Sequence, residues 1–200
     1  MTMARRINEA GAVPAWRRVL TDGGGGLVLA VCLLVLSAGN AWTATKVDTK
    51  PFNAFFSSQS GKIYDHLLKV TDYYATLVKE GNAERIKDVL ALRASLSACW
   101  ELYLNAGDMV YVYDLLDPTC AETVTKVGGL LQNGLRVIAG KLDKEVQWMR
   151  LVEKNVADLP VSVELGQAMK DIQTAATYFR QTAPLFAPPA GSETRQPVGR

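Results

Sequence analysis

From Ile63 to Phe179 the large apolar residues of this chain recur at spacings of three and four, and that period constrains the fold more than any other feature. An α-helix turns once every 3.6 residues, so side chains at such spacings gather on one stripe, which must be buried against another. Ile63, Leu67, Val70, Tyr74 and Leu77 make the first stripe; Ile86, Val89, Leu90, Leu96, Cys99, Trp100, Tyr103 and Leu104 make the second. Further stripes follow at Val124, Val127, Leu131, Leu135 and Ile138, then at Leu142, Val146, Met149 and Val152. Leu165, Met169, Ile172, Ala176 and Phe179 complete the set. Between the second and third lies Asp108–Leu116, whose Val/Tyr alternation favours a strand locally. No partner strand is evident, so a short helix is preferred there.

Cap and breaker residues divide the pattern. Ser60 is a candidate N-cap for a helix over Lys62–Glu80, with Gly81 as its stop and Asn82 as the cap of a second helix from Ala83 to about Asn105. Gly107 then stands just past that end, and Asp117-Pro118 presents a cap residue with proline at the first helical position. Gly128, Gly129, Gly134 and Gly140 each cost a helix roughly 1 kcal/mol relative to alanine. They either allow close helix approach or break the rod near Gly140. A fourth segment spans Leu142–Asn155, and after Asp158-Leu-Pro160 a last helix runs from about Ser162 to Gln181. The class is therefore all-α: an antiparallel helical bundle of four to five helices over residues 61–182, with a linker at 42–60. Residues 183–200, holding four of the eight prolines, are expected to be a disordered Pro-rich tail.

Ahead of the bundle, Gly23 to Thr45 contains no charged residue, and Leu27–Leu36 is strongly apolar. Arginines precede this run and small residues, Ser37-Ala38-Gly39-Asn40-Ala41, follow it. A run of about 10 apolar residues suits a signal-peptide core better than a span of about 20. Residues 1–41 are thus expected to be a signal peptide cleaved after Ala41, or an uncleaved signal anchor tethered through residues 23–45. Either form leaves the bulk of the chain outside the cytoplasm, periplasmic or extracellular, because arginines stay on the inner side. Arg17-Arg18 also resembles the start of a twin-arginine export motif, although Thr21 and Asp22 do not continue it. Charge supports the division: four arginines and two acids precede residue 42, so totals of 22 basic and 20 acidic residues leave 18 of each beyond it. A neutral body has no electrostatic reason to bind nucleic acid.

Of three cysteines, Cys32 lies within the apolar run, which leaves Cys99 and Cys120. In an exported protein such a pair is readily a disulfide, stabilising by roughly 3 kcal/mol through loop closure; two separate thiols are the alternative. No Cys-x-x-Cys is present, which removes support for a zinc ribbon, a redox motif or covalent haem.

Reactive chemistry is sparse. His66 is the only histidine, so any histidine-based catalytic arrangement must use it, and its place beside Leu67 and Asp65 predicts a surface or edge position. Haem ligation by His66 with Met109, Met149 or Met169 is possible in residue type alone. The carboxylate pairs Asp114/Asp117 and Asp143/Glu145 have the character of solvated helix charge. Ser60-Gly61-Lys62 fails as a phosphate loop, lacking the preceding glycine and a following Ser or Thr. These residues predict a non-enzymatic interaction or accessory subunit of a cell-envelope assembly, with a protein partner, no cofactor and no metal. The alternative is a carrier or sensor holding an apolar ligand or haem in a cavity lined by residues such as Met109, Tyr111, Tyr113 and Trp148.

Overall fold

The computed structural model describes residues 46–187. The leader, its cleavage point at Ala41 and residues 188–200 of the tail lie outside the described residues. Within them all regular structure is helical, in four long helices: α1 (Lys50–Glu80), α2 (Ala83–Asp114), α3 (Ala121–Glu153) and α4 (Val161–Thr182). Single 3₁₀ turns follow α3 at Lys154–Val156 and α4 at Ala183–Phe186. Each helix packs on the next and α4 returns to α1, forming a helical bundle. None of these helices is long and apolar enough to cross a membrane.

The stripes face inward except at Leu90, which falls on the opposite side of α2 from Val89, Leu96 and Cys99 and is 41% exposed. The helices α2 and α3 run in opposite senses. Going down α2 from Ser95 to Arg85, the partners climb from Glu145 on α3 to Asn155 in the 3₁₀ turn that follows it. Tyr103, Phe179, Phe52 and Leu142 are among the side chains sealed in the core, where Phe52 stacks on Phe179 at 5.7 Å between ring centroids and Phe56 on Tyr103 at 4.6 Å.

Helix limits differ from expectation in four places, each for a packing reason. The expected linker at 42–60 is helical from Lys50, with Pro51 in its first turn. Phe52, Phe56 and Gln59 extend the stripe of Ile63 upstream by spacings of four and three, and Phe52 and Gln59 are buried. Ser60 is thus interior, its hydroxyl donating to the Ser57 carbonyl at 3.2 Å. Second, Gly107 does not end α2: a Cβ there would lie 2.5 Å from Phe56 Cζ, so the glycine is a notch that receives the Phe56 ring. Asp108–Leu116 accordingly continues the same helix to Asp114, with Val110 and Tyr113 inside and Tyr111 outside. Third, Gly140 does not break α3, which runs unbroken for 33 residues. Gly128 lies against the Phe186 carbonyl and Gly134 against Met109, the close approach that helical glycine permits. Fourth, Asp117-Pro118 makes a turn rather than the helix start: Asp117 Oδ1 accepts from the Thr119 amide at 2.9 Å and its hydroxyl at 2.8 Å, and α3 begins at Ala121.

Other signals hold. Gly81 ends α1 at φ 69°, and its amide and that of Asn82 donate to Val78 and Leu77 carbonyls, the paired bonds of a Schellman motif. Asn82 takes the N-cap place of α2 without a side-chain cap bond. Residues 183–186, expected to begin a disordered tail, instead form a 3₁₀ turn, because Ala183 and Phe186 pack into the core and Phe186 meets Tyr113 edge-on at 5.1 Å. At that end of the bundle Lys46 donates to the Asp114 and Leu116 carbonyls. A cation is well placed there, against the unpaired carbonyls and negative dipole end of α2. Tyr113 accepts the Val47 amide at 3.1 Å and Thr49 donates to Asp114 at 2.7 Å, so the chain entering α1 is stapled to the end of α2.

Candidate functional site

Among the described polar groups, the largest departure from expectation is His66. It is 6% exposed, turned inward between α1 and α4 rather than outward. The helical stripe passes between adjacent positions: Ile63, His66 and Val70 are fully buried, while Leu67 sits at the margin. Its Nε2 lies 2.9 Å from Asp171 Oδ2, and its Nδ1 is hydrogen-bonded to Glu164 Oε1. Both carboxylates come from α4, two helical turns apart, so they bracket one ring. The arrangement satisfies both ionised acids only when both ring nitrogens carry hydrogen. Gln167 adds a donor to Asp171 at 3.2 Å, and Lys69 reaches Glu164 at 3.1 and 3.2 Å. Burial pushes the Glu164 carboxyl up, but hydrogen bonds and positive charge from His66 and Lys69 outweigh it and hold the group below the ordinary glutamate value.

This cluster clips two helices together. Both ring nitrogens of His66 lie against carboxylates of α4, so ligation of an iron by this ring would require breaking one of these contacts. Met149 is sealed in the core, Met169 is 6% exposed, and Met109 packs against Gly134. Tyr111 and Trp148 are exposed while Tyr113 is buried, so the four residues expected around one ligand do not line one cavity. A groove of about 240 Å³ exists elsewhere, at the start of α1, lined by residues that include Val47, Phe52, Tyr178, Leu185 and Phe186.

The candidate acid pairs are dispersed among separate partners. Asp114 accepts from Thr49, and Asp117 holds its turn, where the Thr119 amide and then its hydroxyl keep the carboxyl below the usual range. Asp143 pairs with Arg180, and Glu145 accepts from Ser95. Among the described residues no group of three His, Cys, Asp or Glu side chains is placed to hold a metal ion.

Cys99 and Cys120 are free thiols, which corrects the expected disulfide. Cys99 is sealed midway along α2, and Cys120 is exposed at the N-cap of α3, beyond the end of α2. Fifteen residues of helix separate Cys99 from Asp114, about 22 Å at 1.5 Å per residue. A disulfide needs Cα atoms within about 7 Å. Burial, with Glu145 nearby, pushes the Cys99 thiol far up.

On the outer surface, α3 carries a second feature that no inward stripe predicts. Leu130, Val137, Trp148 and Leu151 are 55, 57, 38 and 70% exposed. At 100° per residue they fall within one sector of the helix, which also holds Lys141 and Lys144. Sequence patterning missed this line because each member sits beside a core residue of the same type: Leu131, Ile138, Met149 and Val152. Comparison with known proteins finds no match for the chain among family models, curated proteins or solved structures.

Proposed function

We propose that this protein is an exported, non-enzymatic antiparallel helical bundle that serves as an interaction subunit of a cell-envelope assembly. The observation that carries the reading is the exposed apolar line of α3, Leu130, Val137, Trp148 and Leu151. Four large side chains left in water along one rigid rod mark a face built for contact, since scattered single residues would need no such alignment. The only histidine favours the same reading: both of its ring nitrogens are committed to a clip between α1 and α4. The apolar run at 27–36 behind its arginines supplies the route out of the cytoplasm.

The test is expression of the full chain with a C-terminal tag in a bacterial host. Membrane, periplasmic and cytosolic fractions are separated, the mature N-terminus is read by mass spectrometry, and native complexes are sized after mild detergent extraction. Recovery beyond the cytoplasm, in a complex that Val137→Glu disperses without loss of helicity, supports the proposal. An intact chain free in the cytosol would overturn it.

A further inference from the structure

We propose that the outer face formed by α2 and α3 binds the same face of a second copy of this chain, giving a two-fold dimer whose axis runs along the bundle. The inference rests on the reading of the α3 line as an interface, and it names the occupant.

The outer faces of α2 and α3 carry opposite charges side by side. The line on α3 places Lys141 and Lys144 among apolar residues, and the adjoining outer face of α2 presents Leu90, Ala94, Glu101 and Asp108, with Val112 half-buried at its end. Glu101, Lys141 and Lys144 make no ion pair or hydrogen bond with the described residues. Two carboxylates beside these lysines disfavour an anionic bilayer as the occupant and favour a surface carrying both signs in reverse order.

A second observation sets the register. Within one molecule Ser95 of α2 is level with Glu145 of α3, Arg85 with Asn155, and Met109 with Gly134. That ladder puts Leu90 level with Leu151, Ala94 with Trp148, Glu101 with Lys141, and Val112 with Leu130. A two-fold axis parallel to the helices preserves height, so α2 of one copy meets α3 of the other at these same levels. Leucine then faces leucine, the small Ala94 faces the large Trp148, carboxylate faces ammonium, and Val112 faces Leu130. Each match occurs twice in an isologous contact. The apposed surface is two helices wide and about 35 Å long, roughly 650 Å² per copy. That approaches the roughly 800 Å² per partner of a standard stable interface.

The full chain, purified in mild detergent, tests this by sedimentation equilibrium between about 1 and 100 µM. We expect twice the protomer mass, with Val137→Glu shifting the dissociation constant at least tenfold and leaving the circular dichroism unchanged. Glu101→Lys and Lys141→Glu should each weaken the dimer, and the double variant, which restores opposite charge at both places, should recover most of the loss. A monomer at 100 µM would overturn the proposal, as would a dimer indifferent to Val137→Glu. Singles that weaken with a double that does not recover would overturn the register and with it this dimer. If the chain is monomeric and Val137→Glu still disperses a native complex, the interaction reading survives and the second-copy assignment fails.

Discussion

Replacing His66 by leucine removes the centre of the clip between α1 and α4 while keeping the volume of the site nearly filled. Two charge-assisted hydrogen bonds disappear, each of the kind worth about 1.5–3 kcal/mol. The losses are unequal. Glu164 keeps Lys69 and is 21% exposed, so water and the ammonium recover much of its solvation, leaving about 1 kcal/mol. Asp171 is 12% exposed and keeps only the Gln167 amide at 3.2 Å, so a nearly bare carboxylate remains beside a leucine, at about 2 kcal/mol. The total is about 3 kcal/mol. For a body of about 140 residues, with an unfolding entropy near 0.3 kcal/mol/K, Tm should fall by about 10 °C. Thermal melts of the full-length protein followed at 222 nm measure this. In His66→Leu/Asp171→Leu, removal of the orphaned carboxylate should recover more than half of the loss. An unchanged Tm for His66→Leu, or a double variant as unstable as the single, would refute the account of the cluster as a satisfied ionic clip.

Other consequences follow from single contacts. Gly128→Ala should destabilise by about 1–3 kcal/mol in urea unfolding, because the new methyl would lie 2.8 Å from the Phe186 carbonyl, which is backbone and cannot swing aside. Gly129→Ala, with open space at its Cβ, should be neutral or slightly stabilising and serves as the control. Gln59→Leu should stabilise by about 1 kcal/mol, since Gln59 Oε1 is buried with no partner among the described residues; a loss of stability in the same assay would show that the oxygen is satisfied. In the reduced native protein Cys120 should react with a maleimide reagent at least a hundredfold faster than buried Cys99, as read by peptide mass spectrometry, and comparable rates would contradict the placement of Cys99. Acid stability carries a signature of Glu164. Its folded carboxyl titrates below the ordinary value of 4.5, so its contribution is complete above that pH and drains away as pH falls through the lower folded value. The urea midpoint of Glu164→Gln should therefore converge with that of the native chain in acid and diverge from it at neutral pH.

The helices were legible because burial of a stripe is a property of local spacing. Ile63, Val70 and Leu77, or Leu165, Ile172 and Phe179, announce their helices without knowledge of what they meet. Helix ends were legible only where the stop is a local matter. Gly81 ends α1 because a left-handed residue closes the chain on its own last carbonyls. Gly107 has the same local character yet lies inside α2, because Phe56 arrives from 51 positions upstream to fill the notch its missing side chain leaves. The propensity cost of about 1 kcal/mol is smaller than the stabilisation from burying an aromatic ring. Asp117-Pro118 shows the converse: a residue pair suited to starting a helix here folds back on Thr119 instead, and α3 starts three residues after the proline.

The clip was hidden by the same separation of scales. Its members are 98 and 105 residues apart in sequence, and nothing near His66 announces Glu164 or Asp171. One signal did exist. Glu164 and Asp171 stand seven residues apart on α4, with Ala168 and Ala175 making a small-residue lane on the same side, beside the apolar stripe. Acids at that spacing next to small residues leave a recess against which a facing helix can set a polar side chain, and α1 offers one histidine at the right depth. The cluster therefore belongs with the bundle's stability, whereas the exposed line on α3 belongs with the proposed interface. The two differ in what evolution of the chain can change without unfolding it. Altering His66, Glu164 or Asp171 disturbs helix pairing inside one molecule; on the proposed interaction reading, altering Val137, Lys141 or Trp148 should leave each molecule folded and change what it meets.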